Sequence, residues 1–132
     1  VPEGSAVHVK DPLRVTAAVA LAALNSIPAA WMADRREAVE QFMGGSPAQW
    51  PERYRDASPA DLLPLGVPQV LVHGELDDRV PASAARRYAA RAAELGDDVR
   101  AAIVPGAGHF WLVDPRSPAW PVVEDTIVGL VQ

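Results

Sequence analysis

One stretch constrains the fold of this chain more than any other. Val67–Pro81 reads V-P-Q-V-L-V-H-G-E-L-D-D-R-V-P. Gln69–Val72 is a short apolar run rich in β-branched residues, and His73-Gly74 breaks it. An acidic pair follows, and Val80-Pro81 stands where a helix can begin. A β-rich run, a glycine-bearing loop and a helix start describe one strand-to-helix crossing in a parallel α/β sheet. Loops at the C-terminal ends of such strands are where α/β proteins hold ligands and reactive groups. Asp77, three residues past Gly74, is a carboxylate placed to orient a histidine. The chain supplies one in Pro105-Gly106-Ala107-Gly108-His109-Phe110.

The flanking segments extend this crossing into a sheet. Val15–Leu21, within the apolar run Arg14–Leu24, reads as a strand covered on both faces, since such strands are apolar without alternation. Its alanines would also suit a helix. Pro28–Arg55 reads as a helical, irregular insert. Within it, Arg36–Met43 forms a short helix with Val39, Phe42 and Met43 on one side, ended by Gly44-Gly45. Ser46-Pro47, Ser58-Pro59 and Ser117-Pro118 each read as a helix N-cap with Pro at the first helical position. Asp61 adds capping-box spacing to the second. Ala82–Leu95 is a helix with Ala85, Tyr88, Ala89, Ala92 and Leu95 on one face, stopped by Gly96. Val99–Val104 is a strand, and Ser117–Val131 a helix burying Trp120, Val123, Ile127 and Leu130. The expected fold class is therefore α/β. About three parallel strands are flanked by helices, with a helical insert after the first strand. The expected domain organisation is one domain over 1–132, with a tail at 1–13, the insert at 28–55, and the strand-helix-strand-helix part at 56–132.

Composition narrows the function classes. A net charge of −5 argues against nucleic acid or an anionic membrane as the main partner. Eleven of the twelve basic residues are Arg, Lys10 being the exception, which reads as genome composition. With no Cys there is no thiol nucleophile, disulfide or Cys-based metal site in these residues. His8, His73 and His109 have no metal-ligand spacing, and no phosphate-cradling glycine motif is present. No cofactor is expected. Ala17–Leu24 is too short to span a bilayer and no signal-peptide pattern precedes it, so the expected location is cytoplasmic. The absence of Met at Val1 suggests a processed, excised or truncated segment.

Asp77 and His109 each follow a strand, and the two strands are consecutive, so the loops should meet at one end of the sheet. A carboxylate that accepts a hydrogen bond from one imidazole nitrogen fixes the tautomer and leaves the other nitrogen to take a proton from a nucleophile. The plainer reading is an Asp capping the following helix beside a solvated loop His.

The wording around the pair resembles the C-terminal half of the α/β-hydrolase superfamily. There H-G-x-x-D-x-x-V-P carries the triad acid, and a G-x-x-H-F type loop carries the triad histidine. Gly44–Pro59 (G-G-S-P-A-Q-W-P-E-R-Y-R-D-A-S-P) looks like the segment before the acid strand in prolyl-oligopeptidase-like peptidases and related esterases. The resemblance implies a serine hydrolase that cleaves an ester or amide bond by acyl transfer. Asp77 would be its acid, with Asp78 and then Glu75 as rivals, and His109 its general base. Asp78 and Arg79 would serve loop hydrogen bonding or helix-start electrostatics. His73 reads as a packed, hydrogen-bonded histidine, and His8 gets no role. Phe110 and Trp111 are expected to line a substrate pocket or cover the histidine loop, with plain packing the alternative.

The chain departs from that family in one large respect: it holds no G-x-S-x-G elbow and no oxyanion-hole loop. The nearest string is Gly44-Gly45-Ser46-Pro47-Ala48. It lacks the last glycine, and its Pro removes the N–H that would join an oxyanion hole. Ser46 is rejected as nucleophile. The implied partners are a small ester, amide or peptide substrate and either a missing N-terminal half or a second copy, docking along the Val15–Leu21 edge. The alternatives are a hydrolase-fold enzyme with an Asp or Cys nucleophile supplied elsewhere, and a non-catalytic binding or assembly module.

Overall fold

The computed structural model describes residues 3–33 and 35–131. They form two compact units: Val1–Arg14 with Leu24–Leu65, and Val15–Ala23 with Gly66–Gln132.

The second unit carries the sheet. Its strands are β1 (Ala18–Leu21), β2 (Gln69–Gly74) and β3 (Val99–Val104), all parallel in the order β1–β2–β3. Ala18 lies opposite Gln69, and Gln69 opposite Val99. β2 is central and buried along its whole length, which explains why its sequence is apolar without alternation. Side chains still alternate between its faces. Val70 and Val72 pack with Val104, Ala107, Leu112, Ala119 and Val123. Gln69 points the other way, where its side-chain oxygen accepts a hydrogen bond from Tyr88 at 2.9 Å. Tyr88 belongs to α4 (Ala82–Glu94), whose buried face is Ala85, Tyr88 and Ala92. Val123 belongs to α5 (Trp120–Val131). The sheet is thus covered on both faces.

β1 is shorter than the expected Val15–Leu21. Val15 is 60% exposed and precedes the first residue that pairs with β2. An apolar run persists as a strand only as far as it has a neighbour to bond. Ala22 then leaves the sheet at φ 47°, a left-handed conformation that costs an alanine about 1–2 kcal/mol. In α5, Val123 is fully buried, whereas Ile127 lies on the open side, 43% exposed, against expectation.

The first unit is helical. α1 (Ile27–Met32) starts at Ser26, whose hydroxyl accepts from the Ala29 N–H. α2 (Arg36–Met43) ends at Gly44, with φ 81°, and α3 (Pro51–Asp56) follows. Ala30, Val39, Met43 and Tyr54 form its core. Phe42, expected beside Val39 and Met43, is instead turned outward.

All three Ser-Pro readings need correction here. Ser46 starts no helix: its backbone and hydroxyl both bond the Gln49 side chain in a turn, and α3 begins only at Pro51. Ser58 heads a short 3-10 turn (Pro59–Asp61) without capping it. Its buried hydroxyl donates to the Tyr54 carbonyl at 2.6 Å and accepts from the Ile27 N–H at 3.0 Å. In the second unit, the Ser117 hydroxyl donates to the Trp111 carbonyl, and α5 begins three residues later. A hydroxyl can bond any unpaired group within reach: those of Ser58 and Ser117 bond backbone outside the following turn, and that of Ser46 bonds a side chain within it.

Candidate active site

Two loops of the second unit meet at the C-terminal end of β2 and β3. They are stapled by backbone bonds before any side chain is considered. Glu75 N–H donates to the Val104 carbonyl at 3.0 Å, and Leu76 N–H to the Ala107 carbonyl at 2.9 Å. The Glu75 carboxylate accepts the Gly106 N–H at 3.0 Å. This contact demands glycine at position 74, because a Cβ there would sit 2.4 Å from the Ala107 oxygen. The histidine loop has its own anchors on either side of His109. Ala107 and Leu112 are both fully buried in the sheet's core.

Between these anchors, His109 Nδ1 lies 2.8 Å from Asp77 Oδ2. The Asp77 side chain is wholly buried, whereas that of His109 is 24% exposed. The other Asp77 oxygen, Oδ1, accepts from both the Arg79 and Val80 N–H groups at 2.8 Å. Burial pushes the Asp77 carboxyl up, but the Val80 N–H, the His109 ring and the Arg79 N–H together outweigh it. The net position is below the usual carboxylate value. Asp77 is therefore an ionised, acceptor-only group. The proton shared with it resides on His109 Nδ1, and Nε2 is left as the free basic nitrogen.

The rivals for this position are placed elsewhere. Asp78 is 80% exposed and faces Arg79 at 3.8 Å. Glu75 is occupied by Gly106. Asp77 does not cap α4, whose preceding residue, Pro81, makes no side-chain cap. His73 is buried, as expected, with Nε2 2.8 Å from the Val80 carbonyl and 3.2 Å from Asp77 Oδ2. Phe110 meets the His109 ring edge-on with centroids 4.9 Å apart, and is 65% exposed. Trp111 is 45% exposed. Sequence reasoning missed the parts that hold the pair: Gly74's close approach, the Glu75–Gly106 bond, and the Ala107 and Leu112 anchors. Only the glycine left a signal, and its reason lies in a loop distant in sequence.

The parallel sheet covered by helices, with an Asp–His pair on adjacent strand ends, defines the C-terminal portion of an α/β-hydrolase. The sequence profile of the prolyl oligopeptidase family matches residues 7–125, and the chain belongs to that family. No curated protein matches it. Solved structures with the same fold include an esterase from Thermogutta terrifontis, with TM-score 0.66 and 18% identity over 89% of this chain and 42% of that one. An acylaminoacyl peptidase in complex with Z-Gly-Gly-Phe-chloromethyl ketone has TM-score 0.69 and 18% identity, over 89% and 20% of the two chains. The acylaminoacyl peptidase of Pyrococcus horikoshii has TM-score 0.67 and 17% identity, over 88% and 19%. The chain thus spans under half the length of each of these relatives.

Proposed function

We propose that Asp77 and His109 are the acid and general base of a serine hydrolase relay acting on ester or amide bonds by acyl transfer. The observation that carries this reading is the 2.8 Å contact between His109 Nδ1 and an Asp77 carboxylate whose other oxygen is held by two backbone N–H groups. A fixed, ionised acid keeps the imidazole in one tautomer and stabilises the imidazolium formed when Nε2 takes the nucleophile's proton. His109 then returns that proton to the leaving alcohol or amine, and water repeats the cycle on the acyl-enzyme. Phe110, stacked edge-on against His109 and open to solvent, and Trp111 are proposed to line the apolar side of the substrate site. The names of the structural relatives, esterases and acylaminoacyl peptidases, support the same substrate classes.

The nucleophile and oxyanion donors are proposed to come from another segment, since no G-x-S-x-G occurs among these residues. Among the described residues β1 pairs only with β2, so its outer edge is open to a further strand. We assign that edge to the segment of an N-terminal half that carries the serine; a second copy of this chain, which lacks the elbow, would pair there without supplying the nucleophile.

A fluorophosphonate probe applied to this chain alone and to the full-length gene product tests the proposal. Labelling of the full-length product but not of this chain is the expected result, because triad residues act as a unit. No labelling of either overturns the serine relay.

A further inference from the structure

Asp77 has a fourth neighbour, which the relay does not use. His73, at the end of β2, is 1% exposed, and its Nε2 sits 2.8 Å from the Val80 carbonyl oxygen. An oxygen acceptor at that distance requires the hydrogen to be on Nε2. The other ring nitrogen, Nδ1, is buried and has no hydrogen-bond partner among the described residues. A proton there would be a buried, unsatisfied donor on a buried cation, which is costly. The geometry therefore puts the His73 hydrogen on Nε2.

The same nitrogen lies against two members of the acid loop. Val80 is gripped on both sides of its residue: its N–H donates to Asp77 Oδ1, and its carbonyl accepts from His73. Asp77 Oδ2, which receives His109, lies 3.2 Å from the same His73 nitrogen. The carboxylate thus accepts from Arg79 and Val80 on Oδ1 and from His109 on Oδ2, and the His73 nitrogen lies 3.2 Å from that second oxygen. A carboxylate so surrounded cannot swing away from His109 without leaving a donor unpaired.

We infer that His73 is a positioning residue for the Asp77–His109 pair. Its Nε2–H, bonded to the Val80 carbonyl, holds the residue whose N–H grips Asp77, and its ring packs against the carboxylate oxygen that His109 engages. The inference rests on the relay proposed above for its functional meaning, but its geometric content does not. It is separable from packing, because a Gln side chain can bring an N–H close to the His73 Nε2 position, an Asn reaches only as far as Nδ1, and a Phe fills the ring volume with no donor.

The test is the solvent exchange of the His109 Nδ1–H proton, followed by NMR in the ¹⁵N-labelled chain and in His73→Phe, His73→Gln and His73→Asn. The wild-type spectrum is expected to show His73 with its proton on Nε2 and none on Nδ1. Exchange at His109 should rise by about tenfold in His73→Phe and His73→Asn, the equivalent of one lost hydrogen bond, and stay within about twofold in His73→Gln. Equal exchange in wild type and His73→Phe overturns the inference, as does a His73 proton found on Nδ1. If His73→Phe fails to fold, the Gln and Asn variants decide, and indistinguishable exchange in those two overturns it. Absence of fluorophosphonate labelling in the full-length product would sink the relay while leaving this exchange result intact, so the two readings fail separately.

Discussion

Asp77 is the residue on which the site turns, and its environment makes two sharp predictions. Asp77→Asn keeps the shape but replaces one acceptor with an N–H₂ group facing donors. We expect a loss of about 1–3 kcal/mol at neutral pH, read from urea unfolding. The same variant exposes the pH linkage. The folded carboxyl lies below its usual value of 3.8, so the unfolded chain binds the proton more readily. That stability is fully present above the unfolded value and is lost as pH falls through the lower, folded one. Wild type should therefore lose stability more steeply than Asp77→Asn on acidification, and parallel acid limbs would refute it. Gly74→Ala drives a Cβ to 2.4 Å from a backbone oxygen that cannot rotate aside. Separating the two loops should cost about 1–3 kcal/mol in urea unfolding and speed exchange at His109 Nδ1, as overpacking costs do.

At the level of helices and strands, local patterns set element type, whereas ends followed available partners. α4 matched its apolar spacing as far as Ala92 because helix propensity and periodicity agree there, whereas Leu95, expected on the same face, caps the helix and is 37% exposed. β1 fell short of its apolar run because hydrogen bonding to β2 begins only at Ala18. Ser58 shows how a capping signal is diverted. Its hydroxyl ties the end of α3 to the start of α1 and is 0% exposed. Ser58→Ala leaves the Ile27 N–H and one Tyr54 carbonyl position without that partner, so we expect about 1–3 kcal/mol of destabilisation in thermal unfolding. A Tm unchanged within error would show that water replaces the hydroxyl.

For the molecule as a whole, the decisive feature is the side of β1 that pairs with no strand among the described residues. An unpaired strand edge is a template for another chain. β1 is short and its residues are half-buried, so pairing would add backbone bonds more than apolar area. The chain on its own is expected to self-associate at micromolar concentration in size-exclusion chromatography or native mass measurement. A stable, folded monomer there would overturn β1 as a docking edge. No helix among the described residues is long and apolar enough to cross a membrane.

What the amino-acid order determined by itself was the kind of the sheet strands and of the longer helices, and the identity of the two residues that meet. Runs of β-branched residues, a 3.6-residue apolar period and glycine punctuation are local, and local energetics decide them. Asp77 and His109 were legible because each closes a strand in a recognisable string, and adjacent parallel strands bring such loops together. Tertiary structure decided what holds them. Gly74 against Ala107, Glu75 on Gly106, and His73 on Val80 and Asp77 are contacts made or used by groups whose sequence neighbours do not reveal them. It also decided which serine hydroxyls cap nothing, and which of Phe42 and Ile127's expected faces remain open. A short-range pattern can specify a dihedral preference, but a hydrogen bond across two loops exists only once the sheet has set their distance.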